Sequence, residues 1–333
     1  MTQPPGPTGA VPGAPSKAPL ASEAHAQQPV AAEGAVKRAV SVSIGSRQRD
    51  VAVEVELLGK RVHIERFGTD GDMGRAAALI RELDGKVDAF GLGGLDLFFV
   101  AAGRRYYLRD GLRLAREAKK TPVVCGAGLK DSLERLAVEK LEERIGWKDR
   151  RVLMVSAVDR FGMAESLAQH GARVLYGDII FALGLPVPIY DVRRLEMIAR
   201  LLLPVISQVP IGWLYPTGKQ QESSKSGNRG RHFEWAEVIA GDFHFIKRYA
   251  PERLDGKIIL TNTTTSQDVE DLRRRGVTQL ITTTPRYEGR SLATNLLEAA
   301  LVAAAGRHPL SNQEYLELID EAGLEPQVEV LSG

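Results

Sequence analysis

Four short segments carry the residues best suited to holding or changing a small polar molecule: Ser156 to Gly162, Gly177-Asp178, Thr261 to Thr265 and Thr282 to Arg286. Each follows an apolar run that reads as a strand. In an open parallel sheet, ligands bind beyond the carboxyl ends of the strands. The first two belong to one stretch, RVLMVSAVDRFGMAESLAQHGARVLYGD, residues 151–178. It reads as strand, tight turn, helix, strand, with an acid at the end, the layout of a dinucleotide-binding unit. Ser156 and Gly162 take the first and last places of a relaxed glycine spacing, with Asp159 between them. A phosphate would rest on the helix that opens near Met163. Asp159 would repel it, unless the carboxylate caps the helix instead. Asp178 stands where an acid accepts the hydroxyls of an adenosine ribose, which favours NAD over NADP. An acid at that point would equally hold the ribose of an adenosyl donor, so a transferase stays open. Thr263, Thr264, Thr265, Thr283 and Thr284 offer hydroxyls to a carboxamide, ribose or phosphate. Threonine also favours strand ends and helix caps. Arg286 and Arg290 suit a carboxylate, or plain solvent.

Two further loops follow strands earlier in the chain. They are Gly91-Leu-Gly-Gly94-Leu-Asp96 and Gly126-Ala-Gly128-Leu-Lys130-Asp131. Lys130 is the candidate acid/base, because burial can bring a lysine into a useful range, and Asp96 is its partner carboxylate. The plain alternative is a lysine that opens a surface helix. Cys125, the only cysteine, lies in the apolar run TPVVCGAG and reads as a small buried residue. Asp70 and Asp72 read as a helix start, and no metal is expected. Residues 216–232 are rich in Lys, Arg, Ser and Gly, and read as a lid over an anion or as an insertion.

The elements that must position these residues are legible in outline. Residues 51–67 alternate apolar and polar on either side of Leu58-Gly59-Lys60, a hairpin signal. Helices are expected over 73–85 and, as one long element, over 129–146. Beyond 151, short apolar strands alternate with helices, including a strand at 211–215 and a last helix from Ser291 to Gly306. The fold class is therefore α/β: an N-terminal α/β domain with hairpins (38–148), then a doubly wound parallel-sheet Rossmann-like domain (151–306). A Pro/Ala/Gly-rich tail (1–37), read as disordered, precedes them, and a C-terminal helix and tail (307–333) follow. The chain of 333 residues is 44% hydrophobic and 26% charged with net charge +2, which disfavours nucleic acid and membrane as partners. No apolar run is long enough to span a bilayer. A single cysteine suits a reducing, cytoplasmic compartment. The expected partner is a small-molecule substrate, and a homo-oligomer is left open.

Four stretches carry a resemblance to a known group: RFGTDGDMGRAAALIRELDGKVDAFGLGGLDLFF, TPVVCGAGLKDSLER, WLYPTGKQ and TTTPRYEGRSLATNLLEA. With these the chain resembles bacterial proteins labelled quinate 5-dehydrogenase. The resemblance implies an NAD(P)-dependent oxidoreductase acting on a small carboxylated alcohol. It implies a substrate domain followed by a Rossmann domain, and a Lys/Asp pair in the cleft, here Lys130 and Asp96. It also implies a serine pair on the substrate carboxylate, for which Ser41 and Ser43 are the near equivalents. The missing glycines of the phosphate turn keep a second class in view, a Rossmann-type nucleotide or metabolite sensor without catalysis.

Overall fold

The computed structural model of the protein describes residues 35–101, 103–210, 230–287 and 290–331. The tail 1–34, the expected strand at 211–215 and most of the expected lid at 216–232 lie outside the described residues.

The first half builds a five-stranded mixed sheet. β1 (Lys37–Ser43), β2 (Val51–Leu57) and β3 (Lys60–Gly68) come first. Val53, Val55 and Leu57 face the core while Ala52, Glu54 and Glu56 face water, which is why the alternation reads as a strand. Leu58 and Gly59 both have positive φ, 52° and 65°. That pair of left-handed residues matches the right-handed twist of a two-residue hairpin. α1 (Met73–Leu83) starts at Asp72, whose side chain accepts from the Arg75 amide at 2.9 Å. β4 (Ala89–Gly93) leads to a separate hairpin, β5 (Phe98–Ala101) and β6 (Arg104–Tyr107), then α2 (Arg109–Ala115) and β7 (Val123–Val124). The sheet order is β2-β3-β1-β4-β7, parallel except for β2.

The expected long helix over 129–146 is three short ones: α3 (Ala127–Asp131), α4 (Leu133–Lys140) and α5 (Glu142–Ile145). The first break falls at Ser132, whose hydroxyl donates back to the Gly128 carbonyl at 2.7 Å. A serine that bonds its own preceding turn competes with the helical ladder.

The second half is a doubly wound α/β layer. In chain order it contains β8 (Arg151–Met154), α6 (Phe161–Gln169), β9 (Arg173–Tyr176), α7 (Asp178–Phe181), α8 (Val192–Ile206) and α9 (Gly230–Trp235). It continues with β10 (Val238–Ala240), α10 (Phe243–Tyr249), β11 (Ile258–Thr261), α11 (Ser266–Arg274) and β12 (Gln279–Thr282). The sheet order is β15-β12-β11-β10-β8-β9, where β15 (Gln327–Val330) is an antiparallel edge that the sequence pattern does not announce. The parallel strands reverse direction of winding between β8 and β10. That switch point opens a crevice at their carboxyl ends.

After β12 come a small hairpin, β13 (Arg286–Tyr287) with β14 (Arg290–Ser291), then α12 (Thr294–Ala305) and α13 (Asn312–Glu321). Sequence order assigns the helix over 294–305 to the second layer. Its contacts are instead with β1, β3 and β4, and it shares one apolar core with the first sheet. The reason is composition: TNLLEAALVAAA is buried on every side, so it needs a second apolar surface, and the first sheet supplies one. Glycine allows the approach. A Cβ on Gly91 of β4 would lie 2.5 Å from the Asn295 carbonyl oxygen. Gly91→Ala is therefore expected to cost about 1–3 kcal/mol, because backbone rather than a flexible side chain must move. Urea unfolding would show it as a lower midpoint at unchanged slope.

Candidate functional site

The carboxyl ends of β4, β7, β8, β10 and β11 meet the start of α12 around one cleft. Its empty space, counted out into open solvent, is about 1060 Å³. Glycines 93 and 94 bring the backbone after β4 round so that Asp96 faces the cleft, and α3 carries Lys130 in from the other side.

Lys130 is the centre of the charged part. Its Nζ donates to Asp96 Oδ1 at 2.8 Å and to Asp159 Oδ1 at 2.6 Å. All three side chains are shielded from water, at 12%, 13% and 6% exposure. Burial alone would discharge the lysine. The two carboxylates outweigh it and hold the ammonium well above the ordinary lysine range. This corrects the expectation that burial would tune Lys130 downwards. Asp96 is raised too, but for another reason: burial, opposed by Lys130 and reinforced by the charge of Asp159, lifts it to about 7. Burial would also raise Asp159, but Lys130 and Arg160 together hold it below the usual carboxylate range. Asp96 is thus the group whose proton is exchangeable near neutrality, and Lys130 is a fixed cation.

Stability depends on pH through the same group. The folded protein binds the Asp96 proton more tightly than the unfolded chain does. Between the ordinary carboxylate value of 3.8 and about 7, rising pH therefore removes stability through this group. Asp96→Asn mimics the protonated form. Relative to wild type it is expected to gain on the order of 2–4 kcal/mol between pH 4 and pH 8, since each tenfold change in proton affinity is worth about 1.4 kcal/mol. Parallel denaturant melts of the two proteins across that range check the slope.

A second charged group completes the cleft. Arg66 on β3, Arg49 in the turn between β1 and β2, Arg290 on β14 and His244 on α10 all line it. Arg49 Nη1 lies 3.0 Å from His244 Nδ1. Burial, then the charge of Arg49, pushes His244 down to about 3, so its imidazole is neutral. Ser43, Asn262, Thr263 and Asn295 also line the cleft. Cys125 also lines the cleft, but burial pushes its thiol up to about 12, which removes it as a nucleophile near neutral pH.

Residues 128–331 match the family described as domain of unknown function DUF8754. The chain belongs to the DUF8754 family. Residues 38–125 match a second one, domain of unknown function DUF8753. No curated protein matches the chain. Among solved structures it is similar to a galactofuranose binding protein, at 10% identity and TM-score 0.35, covering 88% of this chain and 94% of that one. It is similar to an NAD-dependent malic enzyme from Thermotoga maritima, at 15% identity and TM-score 0.33, covering 81% and 71%. It is also similar to a 5-methylthioribose transporter solute binding protein from Thermotoga lettingae, at 10% identity and TM-score 0.36, covering 88% and 85%.

Of the residues singled out by sequence as ligand contacts, the cleft gathers Lys130, Asp96, Asp159, Ser43, Thr263 and Arg290. All but Asp96 and Ser43 come from the DUF8754 segment. Others have structural partners. Asp159 neither caps α6 nor stands alone at the turn, because Lys130 holds it; the N-cap position of α6 is Arg160, without a side-chain bond. Asp178 accepts from the Ala157 amide at 3.1 Å and the Val158 amide at 2.9 Å. It therefore occupies NH groups of the turn after β8. Burial raises it to about 6, against the pull of those two bonds. Gly162 serves close packing, since a Cβ there would lie 3.0 Å from the Asp131 carbonyl. Ser156 accepts from the Asp242 amide at 3.2 Å, and buried Ser41 from the Asn295 carboxamide at 2.7 Å. Thr264 pairs with Ser291 and Thr265 caps α11 in a box with Asp268. Thr283 is fully buried, and Thr284 donates within 2.9 Å of the Asn262 and Leu292 carbonyls. Arg286 pairs with Glu329 on the edge strand β15. The hydroxyls of Thr264, Thr265 and Thr284 thus tie strand and helix ends together, the alternative the sequence left open, whereas that of Thr283 is buried without a hydrogen-bond partner among the described residues.

Sequence reasoning missed Arg49, Arg66, His244, Asn262 and Asn295. One signal was present: Arg66 interrupts the apolar alternation at the end of β3, next to the turn that returns to the cleft.

Proposed function

We propose that the chain binds a small hydroxylated organic anion in this cleft and moves a proton at one of its hydroxyls. The observation that carries the reading is the Lys130 ammonium bridging Asp96 and Asp159, beside a separate cluster of arginines. The arginines would anchor the ligand's negative charge. Asn262, Thr263 and Asn295 would take its hydroxyls. Asp96, with an exchangeable proton near pH 7, would accept the hydroxyl proton: the ligand O–H bond breaks and a carboxyl O–H bond forms. Lys130 keeps its own proton throughout and offsets the charge that Asp96 and Asp159 carry between turnovers.

The resemblance to proteins labelled quinate 5-dehydrogenase supports a specific version, oxidation of a carboxylated alcohol with NAD or NADP. The turn that would hold the pyrophosphate does not fit it. Asp178 already takes two of its amides, Gly162 is packed against residue 131, and the Asp159 carboxylate faces the same cleft. The same observation favours a second reading, a metabolite sensor that uses the cleft for binding alone.

Titration calorimetry and thermal shift with NAD, NADP, S-adenosylmethionine and ATP separate these readings, followed by absorbance at 340 nm over a panel of hydroxy acids including quinate and shikimate. Dinucleotide binding with a 340 nm change supports the dehydrogenase. Hydroxy-acid binding without either supports the sensor. If no hydroxylated anion binds, the cleft reading falls.

A further inference from the structure

The arginine end of the cleft places Arg49, Arg66 and Arg290 in one lining, with Asp50 as the carboxylate against Arg66. Arg66 Nη1 donates to Asp50 Oδ1 at 2.7 Å and to the Ser46 carbonyl at 2.9 Å, and its Nη2 to Ser43 Oγ at 2.8 Å. Arg290 Nη1 donates to the Arg49 carbonyl at 3.0 Å, which ties the β13–β14 hairpin to the turn after β1. Backbone carbonyls thus hold the Arg66 and Arg290 guanidiniums, while the Arg49 guanidinium lies against the His244 ring. Burial, with repulsion from Arg49 and Arg290, lowers Arg66 to about 10, and Asp50 is the carboxylate that opposes this. The carboxylates nearest His244 are committed elsewhere: Asp242 to Arg160 at 3.3 Å and Asp268 to Lys247 at 2.8 Å. His244 itself is neutral. The positive field at Arg66 thus comes from two further guanidiniums and is opposed by one carboxylate.

We propose that Arg49, Arg66 and Arg290 form a subsite for a dianionic phosphoryl group, so that the ligand is a small phosphate monoester bearing hydroxyls. A phosphate monoester carries about −1.5 to −2 charge at pH 7, which suits a positive cluster of this size. Planar guanidinium forks suit its oxygens, and the Arg66 and Arg290 guanidiniums, already fixed by backbone bonds, lose little entropy on binding. The hydroxylated part of the ligand would then extend past Asn262 and Asn295 towards Asp96. The inference rests on the cleft being the ligand site, and it replaces the carboxylate that the family resemblance implies with a phosphoryl group.

The test is titration calorimetry of the full chain at low salt with inorganic phosphate, sulfate, acetate and quinate as probes. Phosphate and sulfate are expected to bind at one site, and acetate about tenfold more weakly or worse, since roughly 1.4 kcal/mol separates each decade. Arg290→Gln and Arg49→Gln should each weaken phosphate about tenfold, the scale of one charged hydrogen-bonded contact. Arg253→Gln, which removes an exposed cation paired with Asp255, should change nothing. Thermal melts establish that each variant is folded. Acetate binding as tightly as phosphate overturns the proposal, as does unaltered phosphate binding in both cleft variants, or an equal loss in Arg253→Gln. If quinate binds and phosphate does not, the phosphoryl subsite fails while the cleft reading stands. If neither binds, both fail.

Discussion

Lys130→Met is expected to destabilise the protein by about 3–5 kcal/mol at pH 8, because it leaves two buried carboxylates without their shared cation. Asp96 and Asp159 would then lie side by side, with Arg160, 4.0 Å from Asp159, as the cation left to offset them among the described residues. The loss should shrink at pH 5. There Asp96, already shifted to about 7, takes up a proton and removes one of the two charges. A methionine of similar length keeps the packing, so the effect reports charge more than volume. Urea unfolding at the two pH values measures both quantities. A cost under about 1 kcal/mol at pH 8, or one that does not depend on pH, would mean that the ammonium is replaced by water and that the three side chains do not act as a unit.

Arg160→Leu should be at least as damaging, by about 3–5 kcal/mol or by loss of the folded state. Arg160 is 1% exposed, the most enclosed cation in the described structure among the large buried side chains. Its guanidinium pairs with Glu134 on α4 and with Asp242 at 3.3 Å after β10. Glu134 is 0% exposed and burial, with the charge of Asp159 adding to it, raises it against Arg160, the cation paired with it among the described residues. The arginine thus links the two halves of the chain beneath the cleft floor. Because the cost comes from the stranded carboxylate, adding Glu134→Leu should recover a substantial part of it. A double-mutant cycle reads this as a coupling on the order of 1–3 kcal/mol. Additive losses would place the damage in packing instead.

The chemistry at β8 shows what the sequence could carry. Strand, turn, helix and terminal acid over 151–178 are all present, and the turn lies at the switch point where such a unit belongs. The pairing of Lys130 with Asp96 was also legible, because both loops follow strands that end at the same edge of the first sheet. The direction of the lysine's shift was not. It depends on Asp159, which comes from the other half of the chain and which local pattern assigned to a helix cap or a phosphate. Asp178 has the same lesson: an acid at a strand end can reach back to the amides of the preceding turn as readily as forward to a ribose. Helix α12 was misplaced because adjacency in sequence favours the nearest sheet, whereas an all-apolar helix goes where two surfaces can cover it. That placement brings Asn295 to the cleft, so the same oversight hid a lining residue.

Asp96 rather than Lys130 holds the exchangeable proton of the cleft, and the proposed chemistry depends on it. Carbon-13 NMR of the aspartate side-chain carboxyls, followed from about pH 3 to about pH 9 in wild type and in Asp96→Asn, measures this directly. Two carboxyls are expected to titrate above pH 5, Asp178 near 6 and Asp96 near 7, and only the upper signal to vanish in the variant. Titration of every aspartate but Asp178 below about pH 5, or a transition near pH 7 that persists in Asp96→Asn, would contradict it.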